Sequence, residues 1–293
     1  MGYRIKTMLL LVVLTLLLLG VGWLIGLWMG ISPPMAITGA FFFSILLNFT
    51  VYWKSHKWVL KLHGAEIVSE KEEPGLHEMV ERLAENADLP KPTVAITDDD
   101  KPNAFATGRN PQNAVVAVTK GLIENIPEDE IEAILGHEMA HIKNRDMLVN
   151  TMAATIAGAI AYLGMMGRFS MFFGRRRGKG GVLALLALII LPIAAAIVRM
   201  SISRKREYGA DEEGAEISGN PAALANALER IQKITEDRKK RTRGRSNQRG
   251  NIAMSHMYIH NPFSAGGMAR LFSTHPPVEE RVKFLRNFSE QMS

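Results

Sequence analysis

The sequence predicts a mainly helical α+β protein divided between a membrane and water. Three observations carry this reading. No charged residue occurs between Lys6 and Lys54, which is room for two helices of bilayer-spanning length. Two further uncharged runs lie between Asp146 and Arg168 and between Lys179 and Arg199. The stretches between and after these blocks carry short β-branched runs and amphipathic periodicity.

The apolar blocks come first. Ile31-Ser32-Pro33-Pro34 interrupts the N-terminal block and breaks any helix there. A hairpin follows, with one helix over about 8–30 and a second over about 35–53. A cleaved leader is not expected, because the first run is too long and no small-residue cleavage site precedes the second. Arg4 and Lys6 precede the hairpin, Lys54, Lys57 and Lys61 follow it, and its turn has no Lys or Arg. The positive-inside rule therefore places both ends, and the domain after Lys54, in the cytoplasm. The second pair of apolar runs also has spanning length, giving about four transmembrane helices. Arg168, Arg175, Arg176, Arg177 and Lys179 in its loop run against the charge rule, while Arg199, Arg204, Lys205 and Arg206 on its far flank pull the other way.

The soluble part is read in chain order. Pro74 opens a helix to about Asp88, with Leu76, Met79, Val80 and Leu83 on one face. Thr93 to Thr97 alternates as a strand, Ala104 to Thr107 is a short segment, and Asn113 to Val118 is another strand. Pro127-Glu128-Asp129-Glu130 opens a helix running to at least Ile142, since Pro and acids suit a first turn. Ser203 to Glu216 reads as helix. Asn220 caps another that begins at Pro221 and ends near Ile234. Residues 236–250 are crowded with Lys, Arg, Gly and Ser and read as a solvated loop. The domain plan is a transmembrane hairpin over 1–55, a first catalytic part over 56–146, a second transmembrane pair over 147–200, and a second catalytic part over 201–293.

Composition narrows the chemistry. There is no cysteine, which excludes disulfides, thiolate metal sites and a cysteine nucleophile. The formal net charge of +6 sits mostly beside apolar segments and in one loop, so lipid headgroups of the bilayer, and not nucleic acid, are the expected partner.

His137-Glu138-Met139-Ala140-His141 is an HExxH motif. Both imidazoles project from one helix face and suit two corners of a tetrahedral zinc site. Zinc lowers the pKa of a bound water to about 7, and Glu138 stands where it can take that proton and deliver it to a leaving amine. With 8 His in the chain, the chance expectation is roughly 0.015 occurrences, so the motif is specific. A catalytic zinc needs a third protein ligand and one open position. Glu207, Glu212, Glu213, His256, His260 and His275 are the candidates. Glu207 and Asp211 share a helix face, and there one carboxylate could bind zinc while the other holds a ligand His. His256 and His260 are followed by Asn261-Pro262 and read as loop residues. His56, His63 and His77 read as interface or surface residues.

HExxH, then Glu207-Tyr208-Gly209-Ala210-Asp211, then Thr274-His275-Pro276-Pro277 with Glu280-Arg281, resemble the integral membrane metalloproteases of the HtpX family, relatives of the prenyl-protein endopeptidases. The resemblance covers nearly the whole chain. It implies a zincin-like catalytic domain with one Zn2+ per chain, held by His137, His141 and Glu207, and Glu138 as the catalytic base. It implies that Asp211 sits beside the ligands, that Arg281 orders the Asp211 side, and that His275 lines the site and stabilises the oxyanion. Asn103-Ala104-Phe105-Ala106 resembles the family's edge strand, against which an extended substrate pairs. The implied role is stress-linked quality control at the cell inner membrane, where misfolded membrane proteins are cut on the cytoplasmic side, with other membrane proteases as partners. Two readings compete with this one. They are a non-enzymatic membrane scaffold with a structural metal and a zinc hydrolase of another scissile bond.

Overall fold

The computed structural model describes residues 3–148, 204–242 and 276–292. Within them the protein is mostly helical around one small mixed sheet. The expected third and fourth apolar helices, His256, His260 and His275 lie outside the described residues.

Helix α1 (Tyr3–Met29) and α2 (Pro33–His63) form the expected hairpin. Gly22 and Gly26 on α1 face Ala40 and Ala36 on α2 so closely that a Cβ on either glycine would overlap the alanine methyl. Small residues four apart on both helices thus let the backbones touch, which is how helices associate where water supplies no hydrophobic drive. Asn48 Nδ2 donates to Thr15 Oγ1 at 2.8 Å across the same interface. The segment Pro33–Lys54, 22 residues, is long and apolar enough to cross a bilayer. Phe42, Phe43, Leu46 and Phe49 on it are exposed.

The second helix was expected to end near Trp53. It runs ten residues further, to His63, because Lys54, Lys57 and Lys61 are good helix formers and nothing breaks the helix before Gly64. Gly64 takes φ of 60° and caps the carbonyls of Leu60 and Lys61. This extension stands on the sheet.

The sheet consists of β1 (Ala65–Ile67), β2 (Thr93–Thr97), β3 (Ala104–Gly108) and β4 (Ala114–Thr119), in the order β1-β2-β4-β3. β2 and β4 are parallel and the outer pairs are antiparallel. One face packs Val59 and Leu60 of α2 against Ala95, Phe105, Val115 and Ala117. The other packs Val94, Val116 and Val118 into the main core with α3 (Pro74–Asn86), α4 (Lys120–Asn125) and α5 (Glu128–Lys143). Met79, Val80 and Leu83 on α3 are buried in that core, as their spacing required.

Helices α6 (Arg204–Ser218), α7 (Pro221–Thr242) and α8 (Val278–Met292) complete the core. Asn220 Oδ1 accepts from Ala223 N at 3.0 Å, so the expected cap is formed. α7 extends past Ile234 through 236–242, where a loop was expected, because Lys and Arg favour helix and no glycine occurs before Gly244. Arg230 of α7 grips buried Glu130 of α5 with two bonds of 2.7 and 2.8 Å.

Candidate metal centre

α5 is buried from Ile131 to Ile142 but for Glu132, and it carries the HExxH segment into the centre of the domain. It is crossed by α6. The crossing is unusually close: a Cβ on Gly136 would lie 2.6 Å from Gly214 O, and one on Gly214 would lie 2.6 Å from His137 Cα. The two glycines therefore set how near α6 can bring its side chains to the histidines.

Across this contact, His137, His141 and Glu207 each offer a ligand atom, all within 4.8 Å of one another. Glu207 Oε2 is 3.9 Å from His137 Nε2, and Glu207 Oε1 is 3.8 Å from His141 Nε2. These gaps exceed hydrogen-bond length, as expected of atoms converging on a shared ion. All three residues are buried. Two imidazoles and one carboxylate suit a catalytic zinc with an open position, so the donor set fits the metal. The imidazole rings stand at 85° to each other, with centroids 4.7 Å apart.

Each histidine has a carboxylate behind it. His137 Nδ1 lies 3.0 Å from Asp211 Oδ1, and Arg281 holds Asp211 through Nε at 2.9 Å and Nη2 at 2.5 Å. Burial works to raise the Asp211 carboxyl, but Arg281 and His137 outweigh it and hold the group down at about 2. Asp211 is thus an anion that fixes an Nδ1–H tautomer and leaves Nε2 to face a metal. Burial lowers the pKa of His137 itself. On the other side, His141 Nδ1 is 3.9 Å from Asp146 Oδ2, and Arg206 donates to Asp146 at 2.8 Å. Burial works to lower His141, but Asp146, Glu207 and Glu138 outweigh it and push the group up to about 9. That concentration of negative charge favours a cation at this point.

Glu138 is buried, and its Oε2 accepts from Ala106 N at 2.8 Å. β3 is an edge strand of the sheet, as its segment suggested. Asn103 continues its ladder, its carbonyl accepting from Thr119 N and its N–H donating to Thr119 Oγ1, both at 2.9 Å. Antiparallel alternation then turns the peptide groups of Ala104 and Ala106 away from β4, toward α5. The structure thus brings together His137, Glu138, His141, Glu207, Asp211 and Arg281, beside the strand that carries Asn103, Ala104, Phe105 and Ala106. It adds Asp146, Arg206, Gly136 and Gly214, which the sequence reading passed over. Asp146 follows the motif by five residues with no periodic signal, and the glycines declare themselves only at the crossing.

The family model for peptidase family M48 matches residues 70–289. The chain is 48% identical to a protein named "Protease HtpX homolog" from Pyrococcus abyssi, over 100% of this chain and 98% of that one. It is 50% identical to another of that name from Salinibacter ruber, over 85% and 87%. Among solved structures, the S. mikatae Ste24p crystal structure matches with a TM-score of 0.50 at 16% identity, covering 96% of this chain and 65% of that one, which bears on the fold alone. With HExxH and its acidic partner helix brought onto one buried site, and relatives that align from end to end, the chain belongs to peptidase family M48, beside the HtpX proteases, and is a membrane metalloendopeptidase.

Proposed function

We propose that the protein is a zinc endopeptidase that cuts misfolded or damaged membrane proteins on the cytoplasmic side of the cell membrane. The observation that carries this is the convergence of His137, His141 and Glu207 within 4.8 Å, next to Glu138, which the edge strand β3 holds through Ala106 N. His137, His141 and Glu207 hold the zinc, and Asp211 and Asp146 orient the two imidazoles from behind. Zinc supplies Lewis acidity there, acidifying water and polarising the scissile carbonyl. Glu138 takes the proton from water and passes it to the departing amine nitrogen. Its bond from Ala106 N keeps the carboxylate aimed while it does so. An extended substrate adds to β3, meeting the outward peptide groups of Ala104 and the Ala106 carbonyl. Arg281 keeps Asp211 ionised, and His275 supplies charge to the oxyanion. The bilayer partner follows from the hairpin at 1–55, with 147–200 as a second membrane pair and 56–146 and 201–293 joining into one catalytic domain.

The test is Glu138→Gln in detergent-purified protein, loaded with zinc after chelation. Zinc stays bound at one per chain and cleavage of an unfolded model protein falls by about 10²–10⁴-fold. Turnover retained in the variant would sink Glu138 as the base.

A further inference from the structure

The sheet is fastened to α2 at two levels. High on the helix, the His63 ring meets the Phe105 ring with centroids 4.7 Å apart, and Thr97 Oγ1 donates to His63 O at 2.6 Å. Low on the helix, the Arg109 guanidinium lies 4.2 Å over the Trp53 ring. From Trp53 to His63 the helix rises about 15 Å at 1.5 Å per residue. From Phe105 to Arg109 an extended chain covers about 13 Å at 3.3 Å per residue. The spans agree, and the pairing is crossed in sequence: 105 meets 63 and 109 meets 53. β3 therefore lies alongside α2 and runs antiparallel to it, its C-terminal end toward the apolar segment Pro33–Lys54. Val59 and Leu60, packed on Phe105, Val115 and Ala117, fix the contact between the two levels.

Trp53 is the last aromatic before Lys54 at the end of that apolar segment, the place where Trp marks a bilayer interface. Arg109 beside it sets the low end of β3 at headgroup height. Ala106, whose N–H holds Glu138, stands three residues above Arg109, about 10 Å along the strand.

We propose that the α2–β3 junction is a ruler for the cut. It stands the substrate-pairing strand along the membrane normal and places the scissile bond about three to six residues from the bilayer boundary, counting 3.3 Å per extended residue. The preferred substrate is thus an unfolded segment directly adjoining a membrane span, not a distant tail. This rests on the proposed reading that β3 receives the substrate and Glu138 drives the cut.

The experiment uses the full-length protein, zinc-loaded, in nanodiscs of phosphatidylcholine and phosphatidylglycerol. It is given reporters with one apolar helix and a long unstructured tail of repeating sequence, at either end, and the first cut sites are mapped by mass spectrometry. The expected result is a cluster about three to six residues from the boundary, moving inward along the tail sequence, toward or into the insert, when residues are inserted next to the span, so that distance and not sequence is held constant. Cuts scattered evenly along the tail, or tracking the sequence after insertion, would overturn the ruler and leave the protease reading standing. Absence of cleavage both of these reporters and of a soluble unfolded protein would overturn the two together.

Discussion

The two histidines of HExxH are backed by similar arms built to different standards. Behind His137, Asp211 and Arg281 are sealed from water at 0% and 1% exposure, with a 3.0 Å contact to the imidazole and two bonds between acid and guanidinium. Behind His141, Asp146 stands off at 3.9 Å, and it accepts a bond from an Arg206 side chain that keeps 15% exposure. The tight arm joins α5 to α6 and α8. The loose arm joins the last described residues before 149 to the first after 203. One arm holds its histidine at hydrogen-bond distance; the other tethers the chain on either side of residues 149–203 and stands further from its histidine.

The sharpest way to break this contrast is Asp211→Ala. It strands the Arg281 cation in a dry site, which costs about 3–5 kcal/mol of stability. It also releases the His137 tautomer, lowering zinc affinity about 10–100-fold. Thermal unfolding of zinc-loaded protein and competition with a chelator read the two effects. A variant with normal values on both counts would end the idea that this arm is the tighter one.

Asp146→Ala should cost less, about 1–3 kcal/mol, because Arg206 can turn to water. Its zinc affinity should fall no more than about 10-fold, the low end for an outer partner. Equal losses for the two alanines would show the arms to be equivalent.

Acid sharpens the contrast by leaving the tight arm intact. Asp211 is held at about 2 and stays ionised well below neutrality. His63 behaves otherwise: burial pushes it down to about 4. It is neutral in the fold and binds protons more readily when unfolded. Its contribution is therefore complete above the ordinary value of 6.5 and is lost as pH falls from there toward about 4. Partial solvent contact reduces the effect, leaving about 1–2 kcal/mol lost by pH 5 in zinc-loaded protein. Chemical denaturation at both pH values measures this. His63→Gln should flatten the dependence, and an unchanged slope would assign it elsewhere.

The legibility of these parts in the sequence follows their locality. His137 and His141 lie one helical turn apart, so a motif suffices to place them together. Glu207 and Asp211 share a face for the same reason, but which helix that face meets depends on Gly136 and Gly214, and no spacing rule couples glycines so far apart. The extension of α2 went unread because a change from apolar to charged residues marks the end of a membrane segment, not the end of a helix; only Gly64 marks the latter. The helix over 236–242 was hidden in the same way by its charges. Asp146 and Arg206 meet only when the chain on either side of the insertion returns to one place. The family match places the chain among enzymes, which removes the scaffold reading that the residues alone left open.

The order of the pieces along the chain has a consequence for biosynthesis. The motif on α5 is translated before its acidic partners on α6, which come more than sixty residues later, and Arg281 on α8 comes about seventy residues after those. On the proposed assignment a nascent chain emerging from the ribosome carries two histidines and a base but no complete metal pocket. The ligand set then closes only when Glu207 on α6 has been made, and Arg281 of α8, which braces Asp211 behind His137, follows later still.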